Sequence, residues 1–316
     1  MSSTPAEQAP PTSARLSRNG LLAAVGAYVM WGFLPAYFVA LKPVGPFEIV
    51  AWRVLFALAF CLILLTVTRS WGPFLAIARR PRTVLLMGAA GALIFVNWQT
   101  FLYGTLTDHV VETALGYFIN PIVTVFLGVL VLRERLRPLQ WIAVGISIIA
   151  VIVLAVGYGS LPWIALLLAG SFGAYGLIKK QVGGTVDAVS GLTFETAWLV
   201  PVAIVELIIV GATSGLVLGS AGPLNTAAVV GTGVITAVPL LLFAAAASRL
   251  PLTIMGFVQY IAPILQFVFG VVVLHEPMPP ERWFGFAIVW FALLVLSFDL
   301  VRAGARSRRA VLEPTP

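Results

Sequence analysis

Charge is what this chain has least of. Only 10% of its 316 residues are Asp, Glu, Lys or Arg, whereas 60% are hydrophobic and the mean hydropathy is +1.03. A water-exposed globule is excluded, because its surface alone would need more charge. A single cysteine, Cys61, rules out an intrachain disulfide and a thiolate metal cluster. The only histidines, His109 and His275, stand too far apart for a helical zinc motif. No glycine-rich loop carries the lysine of a phosphate-binding loop, so neither metal nor nucleotide nor any other cofactor is expected. Sustained alternation of polar and apolar residues is also missing, which excludes a membrane barrel.

What the chain has instead is length of apolar run. A helix needs about 20 apolar residues to cross ~30 Å of hydrocarbon, and the sequence predicts ten such spans, at about 21–41, 46–68, 83–105, 110–132, 138–157, 160–178, 187–210, 226–247, 252–274 and 281–301. The expected fold class is an all-α integral membrane protein with ten transmembrane helices. Residues 1–20, rich in Ser, Thr, Pro and Ala, read as a disordered cytoplasmic tail, and residues 302–316 as a basic cytoplasmic tail that anchors at the membrane surface.

The basic residues report topology. With the N-terminus inside, Arg15, Arg18, Arg69, Arg79, Arg80, Arg82, Arg133, Arg135, Arg137, Lys179, Lys180, Arg249, Arg302, Arg306, Arg308 and Arg309 collect on the inner face, and only Lys42, Arg53 and Arg282 fall elsewhere. That asymmetry suits a multi-pass protein of the inner cell membrane with both termini cytoplasmic. The excess positive charge therefore implies a lipid bilayer as partner and no nucleic acid.

The chain also repeats itself. Residues 119–141 align with 261–283 at a constant offset of 142, with Ile119/Ile261, Pro121/Pro263, Ile122/Ile264, Gly128/Gly270, Val129/Val271, Val131/Val273, Leu132/Leu274, Glu134/Glu276, Pro138/Pro280 and Trp141/Trp283 identical. Apolar bias does not align proline, glycine, glutamate and tryptophan. Two units follow, 21–157 and 160–301. Because each holds five spans, the second enters the membrane from the opposite side, which makes two inverted five-helix repeats.

The segments Asn120-Pro121 to Arg133-Glu134 and Ala262-Pro263 to His275-Glu276, set in this duplication, resemble the EamA family of the drug/metabolite transporter (DMT) superfamily. Tyr28-Val29-Met30-Trp31-Gly32, Glu48, Trp52-Arg53, Asn97-Trp98 and Gly116-Tyr117-Phe118-Ile119-Asn120-Pro121 look like its RarD type. That type is associated with chloramphenicol sensitivity or resistance in bacteria. The resemblance implies a permease for small organic solutes, metabolites or drugs such as chloramphenicol-like compounds, with export favoured by analogy. Both repeats would alternate around a midplane site. A homodimer is compatible with it. A channel or facilitative pore is the rival function. An enzyme is not expected, since no nucleophile, acid/base or metal set converges.

Transport requires polar or aromatic groups inside the bundle, where lipid does not meet them. Trp31, Arg53, Asn97, Trp98, Tyr117, Asn120, Tyr175, Gln259 and Tyr260 are the candidate substrate-binding residues. Arg53 lies about seven residues, or ~10 Å, into its span. Two readings stand: its guanidinium clamps an electronegative substrate group, or it snorkels to the outer interface or pairs with Glu48. Glu195, 142 residues later, is a candidate proton carrier or a carboxylate exposed at the inner boundary. Glu112 is a second coupling candidate, or else a carboxylate favoured at the start of its own helix. Pro121 and Pro263 each free a carbonyl, as hinges or as fixed kinks.

Overall fold

The computed structural model describes residues 18–132, 136–182, 185–247, 249–250, 255 and 258–312. Predicted features on Arg133, Glu134 and Arg135, and most of the start of the ninth predicted span, lie outside them. The described chain is helical: α1 (Arg18–Gly32), α2 (Leu34–Val39), α3 (Pro46–Val67), α4 (Trp71–Ala78), α5 (Pro81–Leu106), α6 (Val110–Leu132), α7 (Pro138–Tyr158), α8 (Trp163–Val182), α9 (Ala188–Thr213), α10 (Pro223–Ala247), α11 (Ile261–Val268), a π-helical segment (Phe269–Val273) and α12 (Pro280–Leu312). Seven of these helical stretches are long and apolar enough to cross a membrane, counting α1 and α2 as one, and three shorter apolar helices lie at Val110–Thr124, Trp163–Lys179 and Ile261–Val273. The protein is a multi-pass membrane protein.

Proline marks the starts. Pro46, Pro81, Pro138, Pro223 and Pro280 each open a helix, where the missing N–H would have had no partner and the fixed φ is already helical. Asp187 starts α9 by accepting the Ser190 N–H at 3.0 Å. Gly159, at φ +66°, ends α7 as only glycine does without strain. Pro121, Pro201 and Pro239 lie inside unbroken helices.

Three boundaries differ from the sequence reading. The first predicted span is broken at Phe33 into α1 and α2, because Pro35 cannot donate to the Trp31 carbonyl. Between the second and third spans an unpredicted short helix, α4, is pinned by Phe74 stacking on Phe194 at 4.4 Å. The basic tail expected from Arg302 instead continues α12 to Leu312, where alanines and arginines favour helix.

α3 packs on α9 and α10, α5 on α8 and α9, α1 on α10, α6 on α8 and α7 on α12, while α11 bridges α1 and α6. One apolar core joins α3, α5, α9 and α10, and a second joins α6, α7 and α12. Outward faces are equally apolar: Ile148, Ile149 and Ile152 on α7, with Ile204, Val205, Ile208 and Ile209 on α9, are exposed. Those are lipid-facing surfaces, so the helices are held by close contact rather than by hydrophobic collapse.

Glycine makes two of those contacts. A Cβ on Gly91 of α5 would stand 2.9 Å from the Glu195 carbonyl of α9, and one on Gly233 of α10 would overlap the Phe56 carbonyl of α3. The two glycines are 142 residues apart.

Candidate functional site

The group around Arg53 is built by α2, α3, α5, α6, α8 and α10. Arg53, one turn beyond Glu48 on α3, is 4% exposed. Its Nε donates to the Thr236 hydroxyl on α10 at 2.7 Å. Its Cζ lies 4.2 Å from the centre of the Trp98 ring and 5.5 Å from that of Phe38, a cation held over aromatic faces. Its Nη1 is buried without a hydrogen-bond partner. Beside it, the Tyr117 hydroxyl donates to Asn97 Oδ1 at 3.0 Å. The Asn97 amide in turn donates to the Leu168 carbonyl at 3.1 Å and reaches Ser171 Oγ at 3.2 Å. Arg53, Asn97, Trp98 and Tyr117, four of the sequence candidates, are thus brought together.

Arg53 neither snorkels to the interface nor pairs with Glu48. Burial excludes snorkelling, and the Glu48 carboxylate is engaged elsewhere: it accepts the backbone N–H groups of Val217 at 3.0 Å and Leu218 at 2.9 Å, and the Trp52 indole at 3.2 Å. Among the described residues no carboxylate forms an ion pair with Arg53.

The remaining candidates fall into separate environments. Tyr117 meets Phe172 at 6.1 Å and Phe172 meets Tyr175 at 5.9 Å, so an aromatic file leads from the Arg53 group to Tyr175. There the Tyr175 hydroxyl donates to Glu195 at 3.1 Å and Lys179 Nζ lies 2.7 Å from the other carboxylate oxygen. Glu195 is therefore buried and paired, not exposed at a boundary. Trp31 packs against Tyr28 and Phe243, and its carbonyl accepts from Gln266 Nε2 at 3.1 Å. That carbonyl is the one Pro35 leaves open. Asn120 accepts from Thr124 at 3.1 Å and its amide nitrogen is buried without a partner. Tyr260 packs against the second core, of α6, α7 and α12, and Gln259 precedes it in the same turn with its N–H on the Met255 carbonyl. Pro121 lies mid-helix and Pro263 in the first turn of α11.

Glu112 caps a neighbour instead of its own helix. Its carboxylate accepts the Ile164 and Ala165 N–H groups at 3.0 and 3.4 Å at the start of α8. Glu276 does the same for α6, accepting from Val110 and Val111, the latter at 2.9 Å. These contacts satisfy helix-start donors that lipid cannot. Asp299, near the end of the last predicted span, is 4% exposed and paired with Arg137 at 2.6 Å.

Glu276 lies outside the spans, and burial raises its carboxyl above the ordinary range; donation from Val111 and Val110 and the nearness of His109 pull it partly back, while Asp108 adds to the rise. A carboxyl raised on folding contributes stability below its unfolded pKa and loses it as pH rises through the folded one. The wild type should therefore lose thermal stability relative to Glu276→Gln as pH climbs through and above the ordinary carboxylate range. A melting difference that stays constant over that range refutes the assignment.

Sequence reasoning missed Thr236 and Phe38. Nothing in a run of apolar residues marks one threonine from the next, and Phe38 carries no polar signal. Glu276 was legible as an identity within the repeat, but its partners were not.

The EamA-like transporter family model matches residues 18–156. The Streptomyces exfoliatus protein RarD is 45% identical over 299 residues, covering 95% of this chain and 94% of its own. The chain belongs to the EamA-like transporter family. Within this family it is also 37% identical to Escherichia coli protein RarD over 296 residues, 94% of this chain and 99% of that one. A solved crystal structure, 17% identical, covers 87% of this chain and 96% of its own with a TM-score of 0.59, and shares its fold. This EamA protein is accordingly a membrane transporter of the RarD type, and its relatives carry a transporter family's name, not an enzyme's.

Proposed function

We propose that this EamA protein is a secondary transporter that exports small organic solutes, metabolites or chloramphenicol-like drugs through alternating access, with Arg53 at the centre of the substrate site. The observation that carries this reading is the buried guanidinium whose Nη1 has no partner. An unpaired charge in a low-dielectric interior costs several kcal/mol, and a solute bearing a carboxylate, nitro or carbonyl oxygen supplies the missing acceptor. Trp98, Tyr117 and Phe38 suit the flat part of such a solute. Trp31, Asn97, Asn120, Tyr175, Gln259 and Tyr260 complete the proposed path, and Glu195 and Glu112 are the proposed coupling carboxylates.

The architecture in this reading is ten helices in two inverted repeats, 21–157 and 160–301, with both termini in the cytoplasm and the chain in the inner membrane. Support comes from the paired glycine crossings. Gly91 sets α5 on α9 and Gly233 sets α10 on α3, so each repeat lends one helix to the other at the same offset. Pro121 and Pro263 are the proposed hinges.

Counterflow in proteoliposomes tests the mechanism. Labelled solute should accumulate transiently against unlabelled solute inside, with saturation. Unsaturable flux with no counterflow would favour a pore.

A further inference from the structure

We propose that the molecule holds an anionic phospholipid by its headgroup in a cavity between α4 and the turn at residues 185–187. This cavity, of about 480 Å³, is lined on one side by Pro73, Ala76, Ile77 and Arg80 and on the other by Thr185, Val186 and Asp187. It lies apart from the Arg53 group and shares no residue with it.

Positive charge outweighs negative around it. Arg69, Arg79, Arg80 and Arg82 are all exposed around the two ends of α4, and among the described residues none of them forms an ion pair. Asp187 is the lining acid, and its Oδ1 is already occupied as the cap of α9. Guanidinium groups free to form two parallel hydrogen bonds match a phosphodiester. A basic pocket beside membrane helices, on the side where positive charge collects, meets the leaflet in which anionic lipids are found.

α4 is placed as an interfacial element should be. Trp71 opens it and Leu75 is exposed at 52%, an aromatic and an aliphatic group at headgroup depth. The other face is tied to the protein through Phe74 on Phe194. The cavity also abuts the buried ion pair: Val186, in its wall, and Lys179 Nζ both crowd Gly191, at 3.3 and 2.9 Å from where a Cβ would stand. Lipid seated there steadies α4 against α9, next to Glu195.

Native mass spectrometry of the full chain in detergent, titrated with phosphatidylglycerol or phosphatidylcholine, tests this. Phosphatidylglycerol should be retained and phosphatidylcholine lost. The combined variant Arg79→Ala, Arg80→Ala, Arg82→Ala should weaken retention by on the order of fivefold for each arginine that contacts the headgroup. Thr185→Trp, which fills the cavity without changing charge, should weaken it too, whereas Arg302→Ala should not. Equal retention of both lipids, or unchanged binding in both the arginine and the tryptophan variants, overturns the proposal. Inorganic phosphate that displaces the lipid at millimolar concentration would instead assign the cavity to a free anion. None of these readouts involves transport, so failure here leaves the transport reading standing, and loss of counterflow leaves this one standing.

Discussion

Arg53→Gln should abolish solute-dependent stabilisation and counterflow while the empty protein melts no lower than wild type. Removing a buried charge that no carboxylate balances eliminates its desolvation cost, and the glutamine amide retains a donor for Thr236. The loss in binding corresponds to a charge-assisted hydrogen bond, about 1.5–3 kcal/mol or roughly 10- to 150-fold in affinity. Ligand screening by thermal shift reads both quantities at once, since a solute that binds only the folded state raises its melting temperature. An unchanged ligand response removes Arg53 from the site, and a collapse in folded yield makes the residue a packing element.

The second large effect is on folding. Gly233→Ala drives a methyl into the Phe56 carbonyl and to within 3.0 Å of the Ala57 nitrogen. Backbone cannot yield as a flexible side-chain end does, so α10 and α3 must part and the Arg53–Thr236 bond with them. Overpacking of that kind costs about 3 kcal/mol, seen as a sharp fall in monodisperse protein after extraction. Gly145→Ala on α7 is the counter-case: nothing lies within 4 Å of the added carbon, so helix propensity predicts a gain of up to ~1 kcal/mol. If both variants behave alike, the crossing is not the tight contact described.

The helical membrane fold was legible because hydrocarbon leaves so few options: a run of apolar residues of spanning length has to satisfy its own backbone. The repeat was legible because Pro, Gly, Glu and Trp recur at one offset. Arg53, Asn97, Trp98 and Tyr117 could be singled out because polar and large aromatic groups are scarce in such runs. Pairing was another matter. Glu48, Glu112 and Glu276 each cap a segment distant in sequence, and a chain read along its length favours neighbours one turn away, as the Glu48–Arg53 reading did. Periodicity gives little help either, since helices bathed in lipid are apolar on both faces and the inward side is not marked. The short helix α4 escaped because eight residues are too few to show a period.

The open carbonyl of Trp31 has a mechanical consequence. Pro35 strips it of its helical donor, Gln266 replaces that donor from α11, and Gly32 lets Leu265 press against the same spot. Prying α11 loose would strand an oxygen in oil, so the opening helix of the chain and the late one that serves it should travel as a single strut, leaving the sliding to other seams of the bundle.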